Sequence, residues 1–124
     1  ALNPSKGNAY YYKGKANNAL AVNPAAKMTD AKREQLLQSV VADYTKAIAI
    51  NKADAKLYQN RAVAYRDLGI VKSTEGLGTY NKVAAIDAYN KAIVDYEKVL
   101  SYDAARKDIQ TELKKAKVYR DLLK

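Results

Sequence analysis

The chain has 124 residues and a net charge of +9, from 22 lysines and arginines against 13 acids, a length that suits one domain with a serviceable core. It contains no cysteine and no histidine, which excludes disulfides, zinc–thiolate sites, cysteine nucleophiles and histidine bases from this stretch. No run of about 18 apolar residues offers a spanning helix. Helical spacing of three and four dominates, no strand-like alternation competes with it, and the expected class is all-α.

In chain order, the first helix is expected near Ser5–Leu20. It carries Tyr10-Tyr11-Tyr12, and successive helical residues point about 100° apart. Tyr10 should therefore pack, and Tyr11 or Tyr12 should stay at least partly exposed. A loop is expected over Ala21–Met28, where Asn23-Pro24 breaks helix. Thr29 or Asp30 is placed to cap a second helix ending near Asn51. Asp54 can cap a third, in which Tyr58, Tyr65 and Leu68 form one stripe with the small residues Ala62 and Ala64 between them. Gly69 is expected to stop that helix through a left-handed C-cap. Ile70–Thr79 then reads as a loop containing Gly76 and Gly78, and a fourth helix as running from about Tyr80 to Tyr102. The last segment, Asp103–Lys124, is amphipathic, with Ile109, Leu113, Ala116, Tyr119 and Leu123 at intervals of three and four.

The chain also repeats itself. Val40–Asn51 aligns without gaps on Ala92–Asp103, so that Asp43-Tyr44 meets Asp95-Tyr96 and Lys46 meets Lys98. Asn8–Ala16 aligns on Lys56–Ala64, so that Tyr10 meets Tyr58, Gly14 meets Ala62 and Ala16 meets Ala64. The pattern in Leu57–Gly69 and Ala92–Asp103 resembles the tetratricopeptide-repeat family, in which each unit is an antiparallel pair of helices, A and B. The resemblance implies a right-handed solenoid of about two repeats, residues 1–52 and 53–104, with 105–124 as a capping helix over the last apolar face. Ala1-Leu2-Asn3-Pro4 looks like the tail of a preceding B helix, as in a fragment of a longer array. The spacing departs from the family's period of about 34 residues. Tyr10 to Tyr58 is 48 residues, and Tyr58 to Gln110 is 52. The excesses approach four and five whole helical turns, which would lengthen the B helices without turning their apolar stripe away. Tyr89-Asn90-Lys91-Ala92-Ile93 offers a second register, and the Tyr96 register is preferred because its distance to the last helix suits the repeat.

Candidate chemistry is sparse. Asp43, Asp87, Asp95 and Asp103 could suggest paired carboxylates or calcium ligands, but they are expected on polar helix faces beside lysines. Gly76-Leu77-Gly78 lacks the ending and the preceding strand of a phosphate loop. No nucleophile–base set, cofactor motif or metal motif is present, and the expectation is a protein that is not an enzyme. What the resemblance implies is a groove lined by the A helices that holds a peptide or a partner's helix. Its candidates are Tyr11, Tyr12 and Lys15 on the first A helix, and Lys56, Gln59, Asn60, Val63 and Arg66 on the second. Asn60 resembles the asparagine of family members that clamp a chaperone's C-terminal carboxylate, and an amide can serve a peptide backbone as donor and acceptor. The rest of that clamp is absent. Tyr11 and Lys15 stand where it needs lysine and asparagine, while Asp108 and Glu112 stand where it needs lysine and arginine. Two alternatives compete with the scaffold reading. One is a basic binder of nucleic acid or anionic membrane, since residues 1–29 and 104–124 each carry +4. The other is a spacer in a longer array. The cysteine-free, Lys/Tyr/Asn-rich composition suits a bacterial exported or periplasmic protein but does not by itself choose a compartment.

Overall fold

The computed structural model describes residues 4–23 and 27–124, with backbone alone for 4–6. The reading of Ala1-Leu2-Asn3 as the end of an earlier helix, and of Pro24 as a breaker, lies outside the described residues. Five α-helices carry the fold: α1 Pro4–Val22, α2 Asp30–Ile50, α3 Ala55–Ser73, α4 Lys82–Tyr102 and α5 Lys107–Leu122. No strand occurs among the described residues, and none of the helices is long and apolar enough to cross a membrane.

Local chemistry sets the boundaries. Thr29 caps α2, its hydroxyl accepting from the Lys32 backbone N–H at 3.1 Å, and Asp54 caps α3 by accepting from the Lys56 N–H at 3.0 Å. Asn81 caps α4 by accepting from the Ala84 N–H at 3.1 Å, one residue inside the start expected at Tyr80. The expected stop at Gly69 is corrected: α3 runs on to Ser73, and Gly69 is a buried helical residue. A β-carbon at Gly69 would lie 2.8 Å from the Tyr89 ring, so this glycine is there for close approach and not for a left-handed turn. The turn chemistry falls instead on Gly76, the one described glycine with positive φ (+89°).

The long spacing is mostly helix, with residues 74–81 between α3 and α4 left as loop. α1 and α3 have 19 residues, α2 and α4 have 21, more than a unit of about 34 residues can hold in two helices and their turns. The extra length therefore goes to both members of each pair, and not to the second member alone.

Each helix packs against its neighbours in the chain: α1 on α2, α2 on α3, α3 on α4 and α4 on α5, with a slighter contact between α1 and α3. Neighbours run antiparallel. In the second pair Ala62 lies in one apolar cluster with Tyr96, while Gly69, seven residues on, meets Tyr89, seven residues back. In the first pair a β-carbon at Gly7 would lie 3.1 Å from Ile50 and one at Gly14 would lie 3.0 Å from the Tyr44 ring, and Ala21 shares a cluster with Leu37. Small residues every seven positions on one helix thus face large ones on the other. Gly14 beside Tyr44 and Ala62 in the cluster of Tyr96 occupy positions that the sequence alignment pairs. The second register is also used, since Tyr89 and Tyr96 are both buried.

Candidate functional site

Because neighbours alternate in direction, α1, α3 and α5 run the same way, and side chains connect α3 to each of the other two. Lys56 of α3 sets its ammonium 4.4 Å from the centre of the Tyr11 ring of α1. Arg66 of α3 donates to Glu112 of α5 at 3.3 Å, and Arg106, at the cap of α5, donates to Gln59 of α3 at 3.2 Å. Of the sequence-derived groove residues, Tyr11, Lys56, Gln59 and Arg66 take part in these links, and the eight divide into unlike groups.

Toward the N-terminal end of α3, Tyr11, Tyr12, Lys15 and Lys56 form one cluster. Tyr12 packs edge-on against Tyr11 with ring centres 5.1 Å apart, and Lys15 approaches the same ring at 5.9 Å. Tyr12 is 65% exposed whereas Tyr11 is only 8% exposed, in a core cluster with Val40, Tyr44 and Leu57. Tyr11 is therefore corrected from a free groove contact to a core residue, with Lys56 laid over its ring. Tyr10, half-buried, packs on the same cluster. Lys15 and Lys56 are exposed and form no ion pair among the described residues. A cavity of about 290 Å³ opens beside them between Gly7, Tyr11, Ile50 and Lys56.

Further along α3 the candidates are engaged internally. Gln59 accepts from Arg106, and Val63 and Asn60 are half-buried, Asn60 forming no side-chain hydrogen bond among the described residues. Arg66 is half-buried and held between two acids, donating to Asp67 Oδ1 at 3.0 Å and to Glu112. Burial lowers the pKa of Arg66, but Asp67, Tyr96 and Glu112 more than offset it, so the guanidinium stays firmly charged. Glu112 is thus an internal partner of Arg66. Asp108 pairs with Arg106 at 2.7 Å.

The expectation that Asp43 and Asp95 lie on solvated faces is overturned. Both are buried. Asp95 receives both arms of Arg61, each at 2.8 Å, and Asp43 faces Lys13 at 3.7 Å. Lys13 aligns with Arg61 and Asp43 with Asp95, so one cation–aspartate pair between the helices of a unit is made twice. Asp87 stays exposed and pairs with Lys91 at 3.0 Å. Among the described residues no three acids gather as a possible cation site.

A buried polar group escaped the sequence reading. Asp67 is 7% exposed, Asn18 of α1 lies against it, and Tyr96 of α4 packs fully buried beside Arg66. Asp67 Oδ2, Asn18 Oδ1 and the Tyr96 hydroxyl make no well-aligned hydrogen bond, although Asn18 lies close enough to Asp67, and Arg66 to Tyr96, to pull on their protons. Burial pushes the Asp67 carboxyl above its ordinary value, against the pull of Arg66 and Asn18, and pushes the Tyr96 hydroxyl up to about 12. The available signal was position: Asp67 lies seven residues after Asn60, on the same stripe of α3.

Comparison with protein-family models, curated proteins and solved structures finds no match to this chain.

Proposed function

We propose that the chain is a non-catalytic interaction scaffold, a tetratricopeptide-like pair of lengthened helical hairpins closed by α5, which binds a peptide or partner helix along the side shared by α1 and α3. The observation that carries this reading is the duplicated unit. Both the small-under-tyrosine contact and the cation–aspartate pair recur one repeat apart, as in a modular helix array whose common use is an extended binding face. Tyr12, Lys15 and Lys56 are its working residues, since an exposed aromatic flanked by ammonium groups that no acid neutralises supplies apolar area and charge at one spot. Asn60 extends the face along α3.

The test is capture from native cell extract at low and high salt, with the unmodified chain beside a Tyr12→Ala/Lys15→Glu/Lys56→Glu variant and an Asn60→Ala variant. Tyr11 and Arg66 are poor choices for substitution, because one is core and the other bridges α3 to α5. A protein held at high salt by the unmodified chain and lost from the triple variant supports the scaffold. Capture of nucleic acid or lipid alone, released by salt as counterion-driven binding requires, overturns it.

A further inference from the structure

α5 takes the place of an α1 or α3 in the repeat. Ile109 and Ala116 align with Leu57 and Ala64, and both pairs are buried against the preceding helix. The outward stripe of α5 departs from that pattern. Gly7, Gly14 and Ala21 of α1 align with Ala55, Ala62 and Gly69 of α3, and a β-carbon at Gly14 or Gly69 would press on the Tyr44 or Tyr89 ring of the next helix. The same three positions of α5 are Lys107, Lys114 and Asp121, all exposed. A tyrosine-bearing helix laid on them would have to bury two ammonium groups and a carboxylate, which is costly. α5 therefore refuses the kind of neighbour that α1 and α3 accept.

Its open face offers charge around an aliphatic pair instead. At about 100° per residue, Lys107, Lys114, Val118 and Leu122 fall within one arc of about 80°, opposite Ile109 and Ala116 and with Lys117 at the flank. Val118 is 49% exposed and Leu122 78%. The acids of α5 are already paired: Asp108 with Arg106, Glu112 with Arg66 and Lys115, and Asp121 with Arg120 and Lys124. Lys107, Lys114 and Lys117 form no ion pair among the described residues. This patch is a convex ridge, because α5 packs on α4 with its other face. A peptide gains little burial on a ridge, and the phosphates of a nucleic acid offer nothing to two aliphatic side chains. A bilayer meets both demands, presenting anionic headgroups to lysines and an apolar layer just beneath them.

We propose that α5 is a docking surface for an anionic phospholipid membrane, lying along the headgroups with Val118 and Leu122 inserted and Lys107, Lys114 and Lys117 on lipid phosphates. Attachment is peripheral and reversible, since so few groups make a weak anchor. This goes beyond the scaffold reading and does not depend on it, because Tyr12, Lys15 and Lys56 lie on other helices.

The test is flotation of the intact chain with vesicles of two parts phosphatidylcholine to one part phosphatidylglycerol, beside vesicles of phosphatidylcholine alone. Binding is expected on the anionic vesicles and at least tenfold weaker on the neutral ones. Lys107→Gln/Lys114→Gln/Lys117→Gln should weaken it at least tenfold, whereas Lys27→Gln/Lys32→Gln/Lys82→Gln, which removes the same charge elsewhere, should leave it nearly unchanged. Val118→Ser/Leu122→Ser should weaken it severalfold, a loss that charge attraction alone does not produce. No binding to the anionic vesicles, equal binding to the neutral ones, or equal losses from the two lysine variants overturns the proposal. So does unchanged affinity in Val118→Ser/Leu122→Ser, which would leave a site for polyanions of any kind. Should an α5 variant fail to fold, Leu122→Ser alone and the comparison of the two vesicle types decide.

Discussion

Asp43 and Asp95 sit one repeat apart and are equally buried, at 2% exposure each, yet they hold different partners. Arg61 neutralises both oxygens of Asp95 with a planar fork. Lys13, itself 61% exposed, reaches one oxygen of Asp43 at 3.7 Å and leaves Oδ2 without a partner. The two pairs should therefore differ in value. Removing Arg61 strands a buried charge, which costs about 3–5 kcal/mol; removing Lys13 takes away a mostly solvated ammonium worth about 0–1 kcal/mol. Urea unfolding of Arg61→Ala and Lys13→Ala should show that order, and Asp95→Asn should recover part of the loss when added to Arg61→Ala. Lys13→Arg should raise stability by supplying the missing donor. Equal costs for the two alanine variants would show that the second pair has no special weight. The alignment made these residues equivalent, but it could not show that the aspartates face inward. An acid beside lysines in a helical sequence reads as solvated, and only the partner helix decides otherwise. The same limit hid Asp67, whose neighbours Asn18 and Tyr96 belong to other helices.

At the scale of a helix, Gly69 shows where local rules and packing part. A glycine after a stripe ending in Leu68 has the pattern of a C-cap, yet α3 continues through it to Ser73. What fixes the residue is the Tyr89 ring, 2.8 Å from where a β-carbon would sit. Gly69→Ala should thus lose stability, because overpacking against a buried ring, typically about 1–3 kcal/mol, exceeds the roughly 1 kcal/mol that alanine gains over glycine in a helix. Thermal or urea unfolding reads the sign. In a Tyr89→Leu background the same substitution should become neutral or favourable, whereas stabilisation of the unmodified chain by Gly69→Ala would refute the contact. The helix starts were legible, because caps are local: Thr29 and Asp54 act as their side chains suggest. Helix ends were less so, because continuation past Leu68 depends on Val71, which is buried against Leu37 and Ala88 of other helices. The seven-residue spacing of Gly7, Gly14 and Ala21 was a readable sign of close helix approach, and it becomes meaningful once Ile50, Tyr44 and Leu37 are seen opposite.

For the whole molecule, sequential packing dictates how the fold opens. Opening α1 or α5 breaks chiefly one interface, while opening α3 or α4 breaks two. The interface between α3 and α4 is also reinforced by the Arg61–Asp95 fork and by two buried tyrosines set against small residues. α5 adds only Ile109 and Ala116 as buried residues of its own, although it covers the cluster around Ala92, Ile93 and Tyr96. Amide hydrogen exchange under native conditions should therefore be graded, at least tenfold slower in the middle of α3 and α4 than in α5, with α1 intermediate. Removing residues 107–124 should accelerate exchange in α4, whose apolar face loses its cover, and leave the α1–α2 interface nearly unchanged. Uniform protection along the chain, or loss of protection in α1 and α2 on that truncation, would mean that the five helices open as one cooperative unit. The graded outcome would make the two helix pairs separable modules, the property that the proposed scaffold would need.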